Sequence, residues 1–185
     1  MSELPAKLPD HILDPPADPA CQWFAVRAFN RKLDQLKREA EDAHYRTYYA
    51  MTTSKRVIQG RTRWVRRPLI PSLFFICCPL EWIQTFKRGH FGDAMVYGNT
   101  PSQPSPISED EMRMFVFVTT RGAEVTVAPV VNWAAGDRVR VTDGDFKGAE
   151  GVIKRIKKDR KLLVAITGVA VVVLPHIPSE YLEKI

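Results

Sequence analysis

The sequence predicts an α+β protein, an α/β sandwich over residues 21–122 followed by a small closed β-barrel over residues 133–185. Three observations predict it. From Trp23 to Val116, β-prone runs alternate with amphipathic helical patterns, as in a mixed domain. After Trp133 the chain carries short β-branched runs separated by glycine-rich turns, and about 50 residues of this kind read as a small barrel. Pro5, Pro9, Pro15, Pro16 and Pro19 make residues 1–20 an extended tail, and residues 123–132 join the two domains as a linker with local strand character.

In chain order, Trp23–Arg27 is aromatic and β-branched and reads as a strand. Asn30 is a candidate helix cap, and Leu33, Leu36, Ala40 and Ala43 recur at helical spacing opposite Lys37, Arg38, Glu41 and Asp42. A helix over residues 31–43 follows. The run from Tyr45 to Thr52 reads as one strand. Lys55–Gln59 and Arg63–Arg67 flank Gly60 as a hairpin. Leu73–Cys78 is continuously apolar, the pattern of a central strand buried on both faces. A short helix through Trp82, Ile83 and Phe86 and a brief strand at Met95–Tyr97 come next. Residues 98–106 read as a loop. Ser108 and Glu111 then form a capping box opening a helix through Met112, Phe115 and Val116. Barrel strands are predicted at Arg138–Thr142, Gly151–Ile156, Leu162–Ile166, Val169–Leu174 and Tyr181–Lys184.

The 185-residue chain has a formal net charge of +6, which favours a polyanionic partner or an acidic protein face over an acidic-surface function. Cys21, Cys77 and Cys78 are odd in number and two are adjacent, a poor disulfide framework; they read as buried thiols in a reducing compartment. The scattered His11, His44, His90 and His176 give no metal spacing. No signal-peptide pattern opens the chain and no apolar run is long enough to span a membrane, so a cytoplasmic protein without a membrane partner is expected. A nucleophile elbow and a phosphate-binding loop are both missing from the sequence, which therefore predicts neither an enzyme nor a bound cofactor.

The sharpest motif runs from Gly136 to Val152: Gly-Asp-Arg-Val-Arg-Val, then Asp-Gly-Asp-Phe-Lys-Gly, then Gly-Val. Val139 and Val141 alternate with Arg138 and Arg140, giving one buried and one basic face. Gly144 suits a turn with positive φ, while Gly148 and Gly151 let the chain bend and re-enter the sheet. This stretch resembles the KOW motif and implies an SH3-like barrel. Such barrels serve transcription factors and ribosomal proteins alike, so the motif alone leaves open a KOW-containing ribosomal or RNA-binding protein.

The first domain narrows the choice. Trp23-Phe24-Ala25-Val26-Arg27 followed by a helix resembles the opening of the N-terminal (NGN) domain of NusG-family elongation factors. Arg66-Arg67-Pro68-Leu69-Ile70-Pro71-Ser72-Leu73-Phe74-Phe75-Ile76 resembles that family's signature of a basic residue followed by Pro-Leu-Phe-Pro-Gly-Tyr-Val-Phe-Val. Ser72 stands where the family has Gly, Leu73 where it has Tyr and Ile70 where it has Phe. These departures imply a specialised RfaH-like paralogue, and Met95-Val96-Tyr97 with the start of the last helix resembles the UpxY-like antiterminators of capsule operons.

The resemblance implies a monomeric transcription elongation or antitermination factor that docks on the β′ clamp helices of RNA polymerase. Trp23, Phe24, Leu69, Ile70 and Leu73 would be its apolar contact, although core packing is the competing role for each. Lys55, Arg56, Arg61, Arg63, Arg66 and Arg67 crowd the hairpin with Trp64 among them, a group suited to phosphates with an aromatic that could stack on a base. On the first helix and the strand before it, Arg27, Arg31, Gln35 and Arg38 match positions from which specialised paralogues read non-template DNA. Singly, each of these reads as a solvated side chain. A further basic run, Lys154–Lys161, falls on a barrel turn where it could meet nascent RNA or the ribosome. Ile166 and Thr167 lie in the loop by which NusG barrels bind Rho or a ribosomal protein, but Thr167 and Val169 depart from the family pattern there. One family member's barrel refolds as a helical hairpin; Val169, Val171, Val172 and Val173 favour strand here.

Overall fold

The structure is a computed structural model describing residues 18–29, 31–88, 94–100, 103–121, 125–128, 136–156 and 159–185. Its centre is the antiparallel pair of β1 (Cys21–Arg27) and β5 (Leu73–Pro79), in register from Cys21 opposite Pro79 to Arg27 opposite Leu73. β2 (Arg46–Tyr48) adds to the far side of β5 and β6 (Met95–Val96) to the far side of β1, giving the order β2-β5-β1-β6. Side chains alternate along a strand, so this sheet has two apolar faces. Phe24, Val26, Phe74, Ile76 and Cys78 point to one side and pack under α1 (Arg31–Asp42) and α2 (Leu80–Arg88). Trp23, Ala25, Phe75 and Cys77 point to the other and pack under α3 (Glu109–Arg121). The continuous apolar run of β5 is thus explained by helices on both faces.

The expected strand from Tyr45 to Thr52 is broken. β2 stops at Tyr48, and the chain leaves the sheet before β3 (Met51–Ile58) begins a separate ribbon with β4 (Arg61–Pro68). At the base of the ribbon the Leu69 amide donates to the Ala50 carbonyl at 2.8 Å. The loop expected over residues 98–106 holds a small ladder of β7 (Gly98–Thr100) with β8 (Gln103–Pro104), and Ile107 bridges Trp23 of the main sheet. The expected cap at Asn30 lies outside the described residues, as does the tail up to residue 17. The capping box of α3 is formed: the Glu111 amide donates to Ser108 Oγ at 3.2 Å, and the Ser108 amide and hydroxyl donate to Glu111 Oε2 at 3.4 and 3.0 Å. Inside the sandwich, Thr119 Oγ1 donates to the Phe115 carbonyl at 2.7 Å, so its contact with Tyr48 Oη at 2.6 Å takes the tyrosine proton. Burial pushes the Tyr48 phenol up to about 12 despite that bond, and the pair is neutral across the physiological range.

The second sheet follows the order β14-β10-β11-β12-β13-β9. β10 (Asp137–Val141), β11 (Glu150–Ile156), β12 (Asp159–Ile166) and β13 (Ala170–Val173) form a meander, and β14 (Leu182–Lys184) closes on β10. β9 (Thr126–Ala128) comes from the stretch expected to be linker and pairs with β13. The region is a sheet, as its β-branched runs predict, and not a helical hairpin. Gly144 has φ +81°, the left-handed turn expected of it. At Gly151 a side chain would collide with the Leu163 carbonyl oxygen, so glycine is required by contact with the neighbouring strand.

Ser72 sits at φ +65°, a left-handed conformation in a position where the resembling signature carries glycine. Its carbonyl accepts from the Ala28 amide at 2.9 Å, which fixes the backbone there. A side chain in this conformation costs about 1–2 kcal/mol, partly offset by the greater freedom of an unfolded glycine. Ser72→Gly is therefore expected to stabilise the protein by about 0.5–1 kcal/mol, read as a higher urea midpoint with unchanged m-value.

Candidate nucleic-acid and partner interfaces

The basic hairpin is a free-standing ribbon. Ile58 pairs with Arg61 across a two-residue turn in which Gln59 and Gly60 have φ +50° and +72°, the left-handed pair of a tight hairpin. That turn fixes which residues share a face. Arg56 lies opposite Arg63, Ile58 opposite Arg61, Ser54 opposite Val65 and Thr52 opposite Arg67; these alternate pairs form one face. Lys55 opposite Trp64, Val57 opposite Thr62 and Thr53 opposite Arg66 form the other. Two side-chain contacts agree with this division: Arg67 Nε donates to Ser54 Oγ at 3.2 Å on the first face, and Lys55 Nζ stands 5.0 Å from the Trp64 ring centroid on the second. Trp64 is 57% exposed and Val57 73% exposed.

The first-helix group is less uniform. Arg38 is exposed on α1, and Gln35 is half-buried with its amide donating to Glu39 Oε1 at 3.2 Å. Arg31 opens the helix. Arg27 is half-buried at the end of β1 with its guanidinium 5.8 Å from the Tyr97 ring centroid, and its Nε is buried without a hydrogen-bond partner. These residues stand on elements separate from the ribbon.

The apolar set is mostly core. Trp23, Phe24, Leu69 and Leu73 are all buried, Phe24 on the α1/α2 side of the sheet and the others on the α3 side. As a preformed surface patch this set is therefore not available, because the sheet needs these side chains between its layers. Ile70 alone keeps partial exposure, at the edge of the cluster. Arg46, which the sequence did not single out, ties β2 to α3. Its guanidinium stands 5.1 Å from the Trp23 ring centroid, and its Nη2 donates to Cys77 Sγ at 3.1 Å and to Glu109 Oε1 at 3.2 Å. Only an Arg reaching across two strands links these groups, and spacing in sequence carries no signal of it.

The barrel loop meets the first domain. Ile166 is buried inside the barrel, so its side chain is structural, while Thr167 is exposed and turned to α3. The Thr167 amide and hydroxyl donate to Glu111 Oε1 at 3.2 and 2.7 Å. The Glu150 amide donates to Met114 Sδ at 3.3 Å beside it. One apolar cluster accordingly runs from Phe115 and Met112 to Val139, Phe146 and Leu162 of the barrel. Partial burial pushes the Glu111 carboxyl up, but the hydrogen bonds from Thr167 and Ser108 outweigh it and hold it below the ordinary carboxylate range. Of the motif glycines, Gly144 and Gly148 take positive φ, and a side chain at Gly136 or Gly151 would meet neighbouring backbone. Side chains within Lys154–Arg160 and residues 157–158 lie outside the described set. No metal-binding cluster is formed among the described residues, and no helix among them is long and apolar enough to cross a membrane.

The fold and the motif define a class: an α/β sandwich that carries a KOW barrel behind it. The KOW motif model matches residues 135–173. The transcription termination/antitermination protein NusG of Deinococcus radiodurans is 25% identical, in a match covering 80% of this chain and 91% of that protein. A solved structure, described as the domain interaction in Thermotoga maritima NusG, has 21% identity and a TM-score of 0.44 over 89% of this chain and 97% of its own. The chain thus carries a KOW motif and is similar over most of its length to a NusG transcription termination/antitermination protein.

Because the Glu111 carboxyl is held low in the folded protein, its contribution is complete above the ordinary carboxylate pKa and is lost as pH falls through the lowered value. The Thr167 amide resonance is expected to move in that acid range. Glu111→Ala should reproduce the acid position at neutral pH while the β1–β5 amides stay in place.

Proposed function

We propose that this protein binds RNA polymerase as an elongation or antitermination factor, through its N-terminal domain on the β′ clamp. The observation that carries this reading is the colinear pair of domains, aligned with a NusG over 80% of the chain. Thr126–Ala128, within the stretch expected to be linker, pairs with β13 of the barrel sheet. Ile70, half-exposed between Pro68 and Pro71, is the apolar anchor, and the buried Leu69 and Leu73 support it from beneath. Arg38, with Arg31 and Gln35 on the same helix, faces non-template DNA beside the docked domain. The barrel recruits a further partner, ribosomal protein or Rho, through the Thr167 loop. That partner competes with Glu111, so barrel recruitment and release from α3 are coupled.

An apolar anchor at an interface centre contributes about 2 kcal/mol or more, about thirtyfold in affinity. Full-length protein should co-purify with core RNA polymerase, and Ile70→Asp should weaken that binding by about this factor with unchanged circular dichroism. Leu69→Asp is a poor test because it buries a charge in the core. A folded wild-type chain that ignores polymerase and binds ribosomal RNA would move the assignment to a KOW-containing RNA-binding protein.

A further inference from the structure

We infer that the β3–β4 ribbon binds double-stranded DNA through one face only, the face of Arg56, Arg61, Arg63 and Arg67, and that Trp64 takes no part in that contact. The inference deepens the nucleic-acid reading above but rests on the ribbon alone, independently of polymerase docking.

The register places Arg56 directly opposite Arg63, with Arg61 in the next pair of the same face toward the turn and Arg67 two pairs away on the other side, beyond Ser54 and Val65. Like charges directly across a strand pair destabilise it. Nothing local offsets this: residues 43–80 contain no Asp or Glu, and among the described residues no carboxylate pairs with Arg56, Arg61 or Arg63. The four guanidinium groups therefore repel one another in the free protein, and a row of phosphates relieves that repulsion. Ribbon geometry adds reach. Lys55–Ile58 and Arg61–Trp64 are exposed along their length, and four residues of strand extend about 13 Å. The major groove of B-form DNA is about 12 Å wide and 8.5 Å deep and admits a two-stranded ribbon.

A single strand fits the same surface poorly. Binding of single strands combines a cationic track with aromatic rings on which bases stack. Here Trp64 stands on the face opposite Arg56, Arg61, Arg63 and Arg67, with only Lys55 and Arg66 beside it, so one strand cannot use both the ring and the four-arginine row. The Trp64 face is also occupied by the Lys55 ammonium on its ring. A-form RNA is disfavoured because its major groove is deep and narrow. Duplex DNA is thus the occupant that charge and shape select.

The test uses the full chain and fluorescence anisotropy across a salt titration. Its probes are a mixed-sequence DNA duplex of about two helical turns, one strand of that duplex, and the matching RNA duplex. Duplex DNA should bind tightest. Arg56→Thr with Arg63→Thr should lower the salt slope by about 0.9 per arginine removed, and Arg61→Thr with Arg67→Thr should do the same. The Arg56→Lys, Arg63→Lys variant should keep the slope, and Trp64→Val should change neither slope nor affinity. All these side chains are exposed, and thinning the arginine face removes repulsion, so the variants should stay folded. The inference is overturned if the single strand or duplex RNA binds as tightly as duplex DNA, if Trp64→Val abolishes binding, or if neither arginine pair alters the slope. A chain that fails here yet still binds polymerase would leave the function intact and remove only the ribbon's role.

Discussion

The structure depends on burying both faces of one strand pair. β1 and β5 are fully apolar where they meet, from Trp23–Val26 against Phe74–Cys77, and neither face can be left to water. Each buried aromatic or aliphatic side chain contributes roughly 1.5–3 kcal/mol, so exposing either face would outweigh the marginal stability of a domain. Helices must therefore cover both sides. α1 and α2 cover one, and α3 the other. The outer side of α3 is then the seat of the barrel, and β3–β4 forms a separate two-stranded ribbon that meets α3 through β3 and is exposed toward its turn. The exposed ribbon and the docked barrel loop both follow from that arrangement.

Glu111 joins the two levels of organisation. One carboxylate oxygen completes the cap of α3, and the other holds the barrel through Thr167. A single side chain thus serves local helix initiation and long-range packing. Its two sets of donors explain why its carboxyl is held low although it is partly buried. Because the contact is polar and exposed to solvent, it can be exchanged for a partner at small cost, unlike the apolar cluster beside it.

Much of this was legible in the sequence, and the failures have physical causes. The run Leu73–Cys78 announced a central strand because only a strand buried twice drops its polar alternation. The Ser108-x-x-Glu111 pattern announced the cap, yet gave no sign of Thr167, which lies 56 residues away. Leu69 looked exposed because prolines and arginines flank it. Its backbone N–H instead donates to the Ala50 carbonyl at the base of the ribbon, and its side chain is buried in the core. Ile166 looked accessible by analogy of position, but alternation along β12 points it inward. The linker's local strand character was read, but three residues, Thr-Val-Ala, carry too little pattern to assign β9 to the barrel sheet. The two faces of the ribbon were latent in the sequence: once Gln59-Gly60 is a two-residue turn, every cross-strand pair is fixed.

The most direct test of the central claim is single-round transcription by purified RNA polymerase on a template with a defined pause and terminator, with and without the full-length protein. An elongation or antitermination factor that docks on the clamp should change pause lifetime or terminator readthrough in proportion to its occupancy of polymerase. Unchanged pausing and readthrough at concentrations that saturate polymerase, with the protein instead sedimenting with ribosomes, would contradict the account.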